Sequence, residues 1–221
     1  MAAEPQADCG LCPRLAGFRR DNAVAFPGYF NRPVPSFGVA GARLLIVGLA
    51  PGLKGANRTG RPFTGDFAGD LLYQTLSDHG FAAGAYRADP GDGLRLIDCM
   101  VTNAVRCVPP LNKPTGEEAA TCRRFLAARI GAQTRLRVIV ALGRVAHDNV
   151  LGALGARKVA HKFAHGATHE LGEGRTLIDS YHCSRYNTNT GVLTPAMFAE
   201  VFAKARNLLL SPLPRSSGGE G

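Results

Sequence analysis

Four short runs of the chain are dominated by apolar, often β-branched residues: 43–48 (RLLIVG), 96–102 (LIDCMVT), 137–142 (RVIVAL) and 176–181 (TLIDSY). A half-wet strand alternates apolar and polar side chains, so near-continuous runs predict strands buried on both faces, as in a parallel sheet. Between them the apolar spacing becomes helical. Residues 66–80 fit one helix ending on Gly80, suited to the left-handed position that stops a helix. A second helix is predicted from Thr115, with Glu118 three places on to close a capping box, to about Arg129. A shorter one follows Gly143, and the last starts at Thr194 with Pro195 in its first turn. This alternation predicts an α/β fold, a three-layer α/β/α sandwich around a central, mainly parallel four-stranded sheet. Residues 1–210 are expected to form a single domain, and 211–221 a disordered tail.

In such a sheet ligands bind beyond the carboxyl ends of the strands, which singles out the loops 49–65, 103–114, 143–147 and 182–194. The first is rich in glycine: five lie between positions 48 and 65. It matches neither the phosphate-binding P-loop nor the dinucleotide fingerprint, so it reads as a loop whose backbone approaches a ligand closely. In the last, His182 leaves a strand into a stretch of Ser, Asn and Thr, placed for hydrogen bonding. Asn103, ending the second strand, carries a carboxamide able to meet both donors and acceptors.

Charge and cysteine content narrow the class. A formal net charge of +9 favours polyanionic partners. Basic residues at Arg14, Arg19, Arg20, Arg106, Lys113, Arg123 and Arg124 are candidates to grip phosphates. No run approaches the roughly 20 apolar residues of a membrane span, and the start lacks a secretion signal, so a cytoplasmic protein is expected. Six cysteines in a reducing compartment then suggest metal binding rather than disulfides. Cys9 and Cys12 form a C-x-x-C pair, and fourteen residues separate Cys107 from Cys122. The spacing alone allows a four-thiolate zinc site or a [4Fe–4S] cluster.

The run GLAPG…NRTGRPFTGD resembles the first motif of the type-5 uracil-DNA glycosylases, and His182, Ser184 and Asn187 resemble the H-x-S-x-x-N of the superfamily's second motif. The resemblance covers about residues 9–205. It implies a turn (Ala50, Pro51, Gly52) that cups a flipped base, Phe63 stacked on that base, and Asn103 and Asn187 in its pocket. It implies His182 as donor to the departing uracil, and Ser184, Arg185, Tyr186 and Asn189 on a segment entering the minor groove. It also implies a [4Fe–4S] cluster on Cys9, Cys12, Cys107 and Cys122. Two prolines of the second motif are replaced here by Cys183 and Arg185, and the acid that other branches carry in the first turn is replaced by Leu49 and Ala50. Asp66 is the expected base for water, with Asn57 to orient it; Asp66 could equally cap its helix. The expected activity is monofunctional excision of uracil, and of hypoxanthine or xanthine, from double- or single-stranded DNA by a monomer. The rival readings are a zinc-stabilised nucleotide hydrolase and a non-catalytic relative that only binds uracil-DNA.

Overall fold

The computed structural model describes residues 2–211. The chain forms α1 (Pro13–Ala25), β1 (Phe37–Gly38), β2 (Leu44–Gly48), α2 (Ala56–Thr59), α3 (Phe67–Asp78), β3 (Ala82–Ala83), β4 (Arg95–Leu96) and β5 (Cys99–Asn103). It continues as α4 (Gly116–Ala132), β6 (Val138–Leu142), α5 (Arg144–Ala153), β7 (Thr168–Glu170), β8 (Thr176–Ser180), α6 (Arg185–Asn189) and α7 (Pro195–Leu210).

The main sheet has the order β1-β5-β2-β6-β8-β7. The four expected strands are its parallel centre, but the sheet is six-stranded, because β1 and β7 add an antiparallel strand at each edge. These edges are only two and three residues long and none of their residues is fully buried, so they carry no apolar run to read. The expected strand at 96–102 is split. Leu96 pairs in the small β3–β4 hairpin, the backbone turns at Asp98 with φ of 50°, and β5 starts at Cys99.

Alternate residues of the parallel strands point to two cores. Leu44, Ile46, Val101, Val140 and Ile178 pack with α3 and α7, whereas Leu45, Val47, Ile139, Ala141 and Leu177 pack with α4 and α5. Every one of these side chains is withdrawn from water, a burial worth roughly 1.5–3 kcal/mol for each large aliphatic group. The three layers are thus fixed by strands apolar on both sides. Helix ends follow local chemistry. Thr115 and Glu118 close the capping box on α4, Thr194 caps α7 and Asp66 caps α3. Ser211, expected in the tail, bonds back to Asn207 at the end of α7; the rest of that segment lies outside the described residues.

Besides the short α2 and α6, one longer helix, α1, was not expected. α1 is polar and buries few residues; of these Leu15 joins a small third core with Val105, Cys107, Ala119 and Cys122. Polar ties do much of the rest. Arg14 grips Glu118 through two bonds of 2.7 Å, and Arg19 holds the carbonyls of Ala7 and Cys9. Arg106 is 1% exposed and pairs with Glu4, which also meets Arg129. Arg19 and Arg106 are therefore buried and occupied within the fold rather than presented as phosphate grips, whereas Arg14, though paired with Glu118, stays partly exposed.

Candidate active site

Parallel pairing brings the strand ends level: Gly48 lies beside Asn103, and Leu142 beside Ser180. Just beyond this edge opens a cavity of about 800 Å³. Ala50, Gly52 and Gly55 of the loop after β2 line it, with Asp66 at the start of α3 and His182, Ser184 and Arg185 after β8. Asn112, from the loop after β5, completes the rim. Neither Asn112 nor Lys54, Phe67 and Ala68, which also line it, was expected. The Pro-rich run 109–114 at a strand end was the available signal for Asn112.

Phe63 and Asn103 sit behind this opening, against the end of β2. A Cβ at Gly48 would collide with both the Phe63 ring and the Asn103 carboxamide, so glycine is what admits them. The Phe63 ring stacks on that of His182, with centroids 6.0 Å apart and planes 27° from parallel. It is 6% exposed and also belongs to the core. Asn103 Oδ1 is buried with no hydrogen-bond partner among the described residues, a cost a ligand donor could relieve.

The conformation of Phe63 is held from several sides. Its φ is 54°, uncommon for a residue with a Cβ. The Tyr86 hydroxyl donates to Phe63 O at 3.2 Å and accepts from Gly65 N at 3.3 Å. Tyr73 donates to Pro62 O at 2.5 Å. Arg61 makes paired bonds of 2.8 and 2.7 Å to Asp92 amid the rings of Phe37, Tyr73 and Tyr86. The hydrogen bonds and charge of Arg61 hold the Asp92 carboxyl far below the usual carboxylate range. A Cβ at Gly69 would collide with Phe63 O, so α3 too is shaped around this loop.

Asp66 serves two surfaces at once. One carboxylate oxygen accepts from Gly69 N at 3.3 Å as the cap of α3. The other faces the glycine loop, where a Cβ at Gly52 would lie 3.3 Å away and one at Gly55 would collide. Burial raises its pKa despite the stabilising backbone N–H groups. His182 makes no side-chain hydrogen bond within the described residues, and burial lowers its pKa to about 4. It is a neutral imidazole at physiological pH, with ring nitrogens open to a ligand.

Other expected residues lie elsewhere. Asn57 is fully buried in α2, its amide donating to Asn31 Oδ1 at 2.9 Å, and it does not line the cavity. Pro51 is buried beneath the turn. Asn187 spends its amide on His182 O at 2.8 Å, and its N–H on the Ser184 hydroxyl. Asn187 thus shapes the loop carrying His182 rather than facing the cavity. Ser184 both caps α6 and lines the cavity. Arg185 lies over the Phe67 ring at 5.4 Å, while Tyr186 is 73% exposed and Asn189 also faces solvent.

Two clusters could hold a metal. Cys9, Cys12, Cys107 and Cys122 line one small, mostly apolar cavity beneath α1, and all are free thiols. Burial, reinforced by the neighbouring thiols, pushes Cys12 up to about 11 and Cys107 up to about 12. The second cluster is His147, His169 and Asp179, with ligand atoms within 4.8 Å of one another. Here the groups already satisfy each other. His147 faces Asp179 Oδ1 at 2.7 Å through Nδ1 and His161 O at 2.9 Å through Nε2, two acceptors that an imidazolium answers. Burial pulls the His147 pKa down, but the hydrogen bond and charge of Asp179 outweigh it and raise the value. His169 donates to the other Asp179 oxygen at 2.9 Å. This is a buried ion network that ties β7 and α5 to β8.

Glycine-lined turn, neutral histidine and level strand ends coincide with a known family. Residues 35–206 match the model of the Uracil DNA glycosylase superfamily, and the chain belongs to that superfamily. It is 50% identical over 205 residues to the type-5 uracil-DNA glycosylase of Thermus thermophilus, covering 90% of this chain and 93% of that protein. The type-5 uracil-DNA glycosylase of Mycobacterium tuberculosis is 43% identical over 208 residues, 90% of this chain and 78% of that one. The type-4 uracil-DNA glycosylase of Thermotoga maritima is 31% identical over 210 residues, 95% of this chain and 93% of that protein.

Proposed function

We propose that this chain is a monofunctional DNA glycosylase that takes uracil out of the helix and hydrolyses its N-glycosidic bond. The observation that carries this reading is the imidazole of His182, stacked beside Phe63 at a glycine-lined cavity and held neutral by burial. A flipped uracil enters between the turn 50–52 and His182, over Phe63, and the unpaired Asn103 Oδ1 accepts its N3–H. As the bond from C1′ to N1 breaks, negative charge gathers on the base and positive charge on the sugar. The imidazole N–H donates to uracil O2 more strongly as that charge develops, which lowers the barrier. Water adds to C1′ and gives its proton to Asp66, whose raised pKa suits it to accept one. The products are free uracil and an abasic site. Lys54 lines the cavity, but the scheme uses water and no lysine nucleophile, so the strand is not cut.

With Leu49 and Ala50 rather than a carboxylate in the turn, the cavity is also compatible with hypoxanthine and xanthine. Arg185, Tyr186, Asn189 and Ser184 meet DNA on either double- or single-stranded substrates. The protein acts as a cytoplasmic monomer; among the described residues no helix is long and apolar enough to cross a membrane.

A [4Fe–4S] cluster on Cys9, Cys12, Cys107 and Cys122 completes the reading. A single zinc draws four thiolates to about 3.8 Å from one another. Among the described residues, the group whose ligand atoms lie within 4.8 Å of one another is the histidine–aspartate one, not the thiols. The wider spacing suits a cluster, which would fasten α1 to the loop after β5 and to α4.

The deciding experiment is a single-turnover assay on a duplex with one uracil, using protein purified without oxygen. Alkali-labile sites at the uracil from a brown protein are expected. A colourless protein that leaves uracil, hypoxanthine and xanthine in place would return the zinc-hydrolase reading.

A further inference from the structure

The loop after β5 ends in an apolar point that the fold does not use. Leu111 is 87% exposed, yet its backbone is fixed in the left-handed region at φ 54° and ψ 23°. Asn112 follows at φ 56°, so two consecutive residues with a Cβ take a conformation such residues avoid. The segment is stiff. Pro109, Pro110 and Pro114 bracket it, and the N–H groups of Asn112 and Lys113 bond back to the carbonyls of Pro109 and Pro110. Lys113 O accepts from Arg14, itself fixed on Glu118. A leucine held out in water this way gains nothing for folding, and its neighbour Asn112 lines the cavity with His182 and Arg185.

We propose that Leu111 is a wedge that enters the DNA duplex beside the flipped nucleotide, working from the rim that Asn112 lines. This rests on the glycosylase reading. Removing a base from the stack exposes apolar base faces, and an aliphatic side chain pushed between them replaces the lost contact. A preformed tip does so without the entropy of ordering a loop. The charges agree: Lys113 stands next to Leu111 in a chain of net charge +9, so the surroundings suit phosphates. A protein seated on Leu111 would instead cover the cavity mouth.

A wedge matters only where there is a stack to open. Leu111→Ala is therefore compared with wild type on one uracil-containing strand, paired with a complement or left single. Single-turnover excision from the duplex should fall about tenfold, while the single strand changes by less than about twofold. Equal effects on both substrates, or none on the duplex, overturn the proposal. A second readout does not need catalysis. With 2-aminopurine next to an abasic analogue in a duplex, saturating wild type should raise its fluorescence by unstacking it, and Leu111→Ala should not. The same rise with both proteins overturns the wedge. Wild type inactive on both uracil substrates would sink the glycosylase reading alone, because the fluorescence still decides on Leu111.

Discussion

Tyr86 lies outside both sequence motifs, yet replacing it with Phe should impair the chemistry. The change keeps the ring that packs on Tyr73 and removes only the hydroxyl. That hydroxyl holds Phe63 O at 3.2 Å and Gly65 N at 3.3 Å, and no other side chain or turn bond engages either group. Both bonds are long, so each is worth about 0.5–1 kcal/mol net, the low end of the range. Together they amount to about 1–2 kcal/mol, comparable with the roughly 1–3 kcal/mol that a non-glycine residue costs in the left-handed region. Without them the segment 61–65 has a reason to relax, and Phe63 would shift beneath His182. A midpoint lowered by about 2–8 °C is expected for a chain of this size. If the lost restraint is felt in the transition state, the single-turnover rate on uracil duplex falls about tenfold, which is about 1.4 kcal/mol. DNA affinity, measured by anisotropy on an uncleavable analogue, should hardly move. A lowered midpoint with an unchanged rate would refute the reasoning, since it would show that Phe63 keeps its place without Tyr86. A loss of affinity as large as the loss of rate would refute it too.

His182→Ala should lower the single-turnover rate at least about tenfold with little effect on DNA affinity, and equal losses of both would make His182 a scaffold residue. Because its folded pKa of about 4 lies below the unfolded 6.5, the unfolded state binds the extra proton first. Its contribution to stability is complete above pH 6.5 and is lost as pH falls toward 4, a trend that thermal melts of wild type should show and those of His182→Ala should lack. Asp66→Asn separates two roles, since asparagine caps a helix as well as aspartate does. The midpoint should hold while the rate drops and the acid limb of its pH profile, shifted upward from that of a free aspartate by burial, disappears; a near-normal rate would take the base role from Asp66. Cys122→Ser should yield protein without visible absorption or acid-labile sulfide and with a lower midpoint, and a protein that keeps both iron and colour would remove Cys122 from the ligand set.

The parts of the fold that the sequence disclosed are those where one physical term dominates. Runs such as LLIVG and VIVAL are apolar on both faces because helices cover both sides of the sheet, and all five residues of each strand are buried. Thr115 with Glu118 announced α4 through capping chemistry alone. What stayed hidden depends on contacts distant in the chain. α1 has no apolar stripe, so nothing periodic marks it; it is held by Arg14, Arg19 and the cysteine-lined pocket. The edge strands β1 and β7 are too short to show a period. In the site, His182 and Asp66 were visible as polar residues at element ends. Asn187 was not distinguishable from a ligand-facing residue, because a carboxamide that holds its own loop has the same letter as one that holds a base; Asn57 donates to Asn31 but leaves its own Oδ1 buried without a partner among the described residues. Asn112 was hidden for the opposite reason: its loop reads as a turn until the cavity shows what it borders.

The site's geometry is set by groups that never enter the cavity. Gly48 leaves room for Phe63 and Asn103, and Gly69 for the carbonyl of Phe63. Tyr86 and the Arg61–Asp92 pair, brought by the segment between β3 and β4, close on the same loop from the far side. On the other flank, the four cysteines and Arg14 hold the loop after β5 against α1 and α4, and that loop carries Asn112 to the rim. Both flanks therefore bear on the cavity from outside, one through packed aromatic rings and one through a cysteine-lined pocket. The aromatic flank packs against the main core, whereas the cysteine flank has only a small core of five buried residues. The cluster would then be needed less for chemistry than for rigidity. A flipped base must be met by a cavity already formed, and a cluster would add to the turn bonds and the Arg14 contact that hold the loop after β5 at its rim.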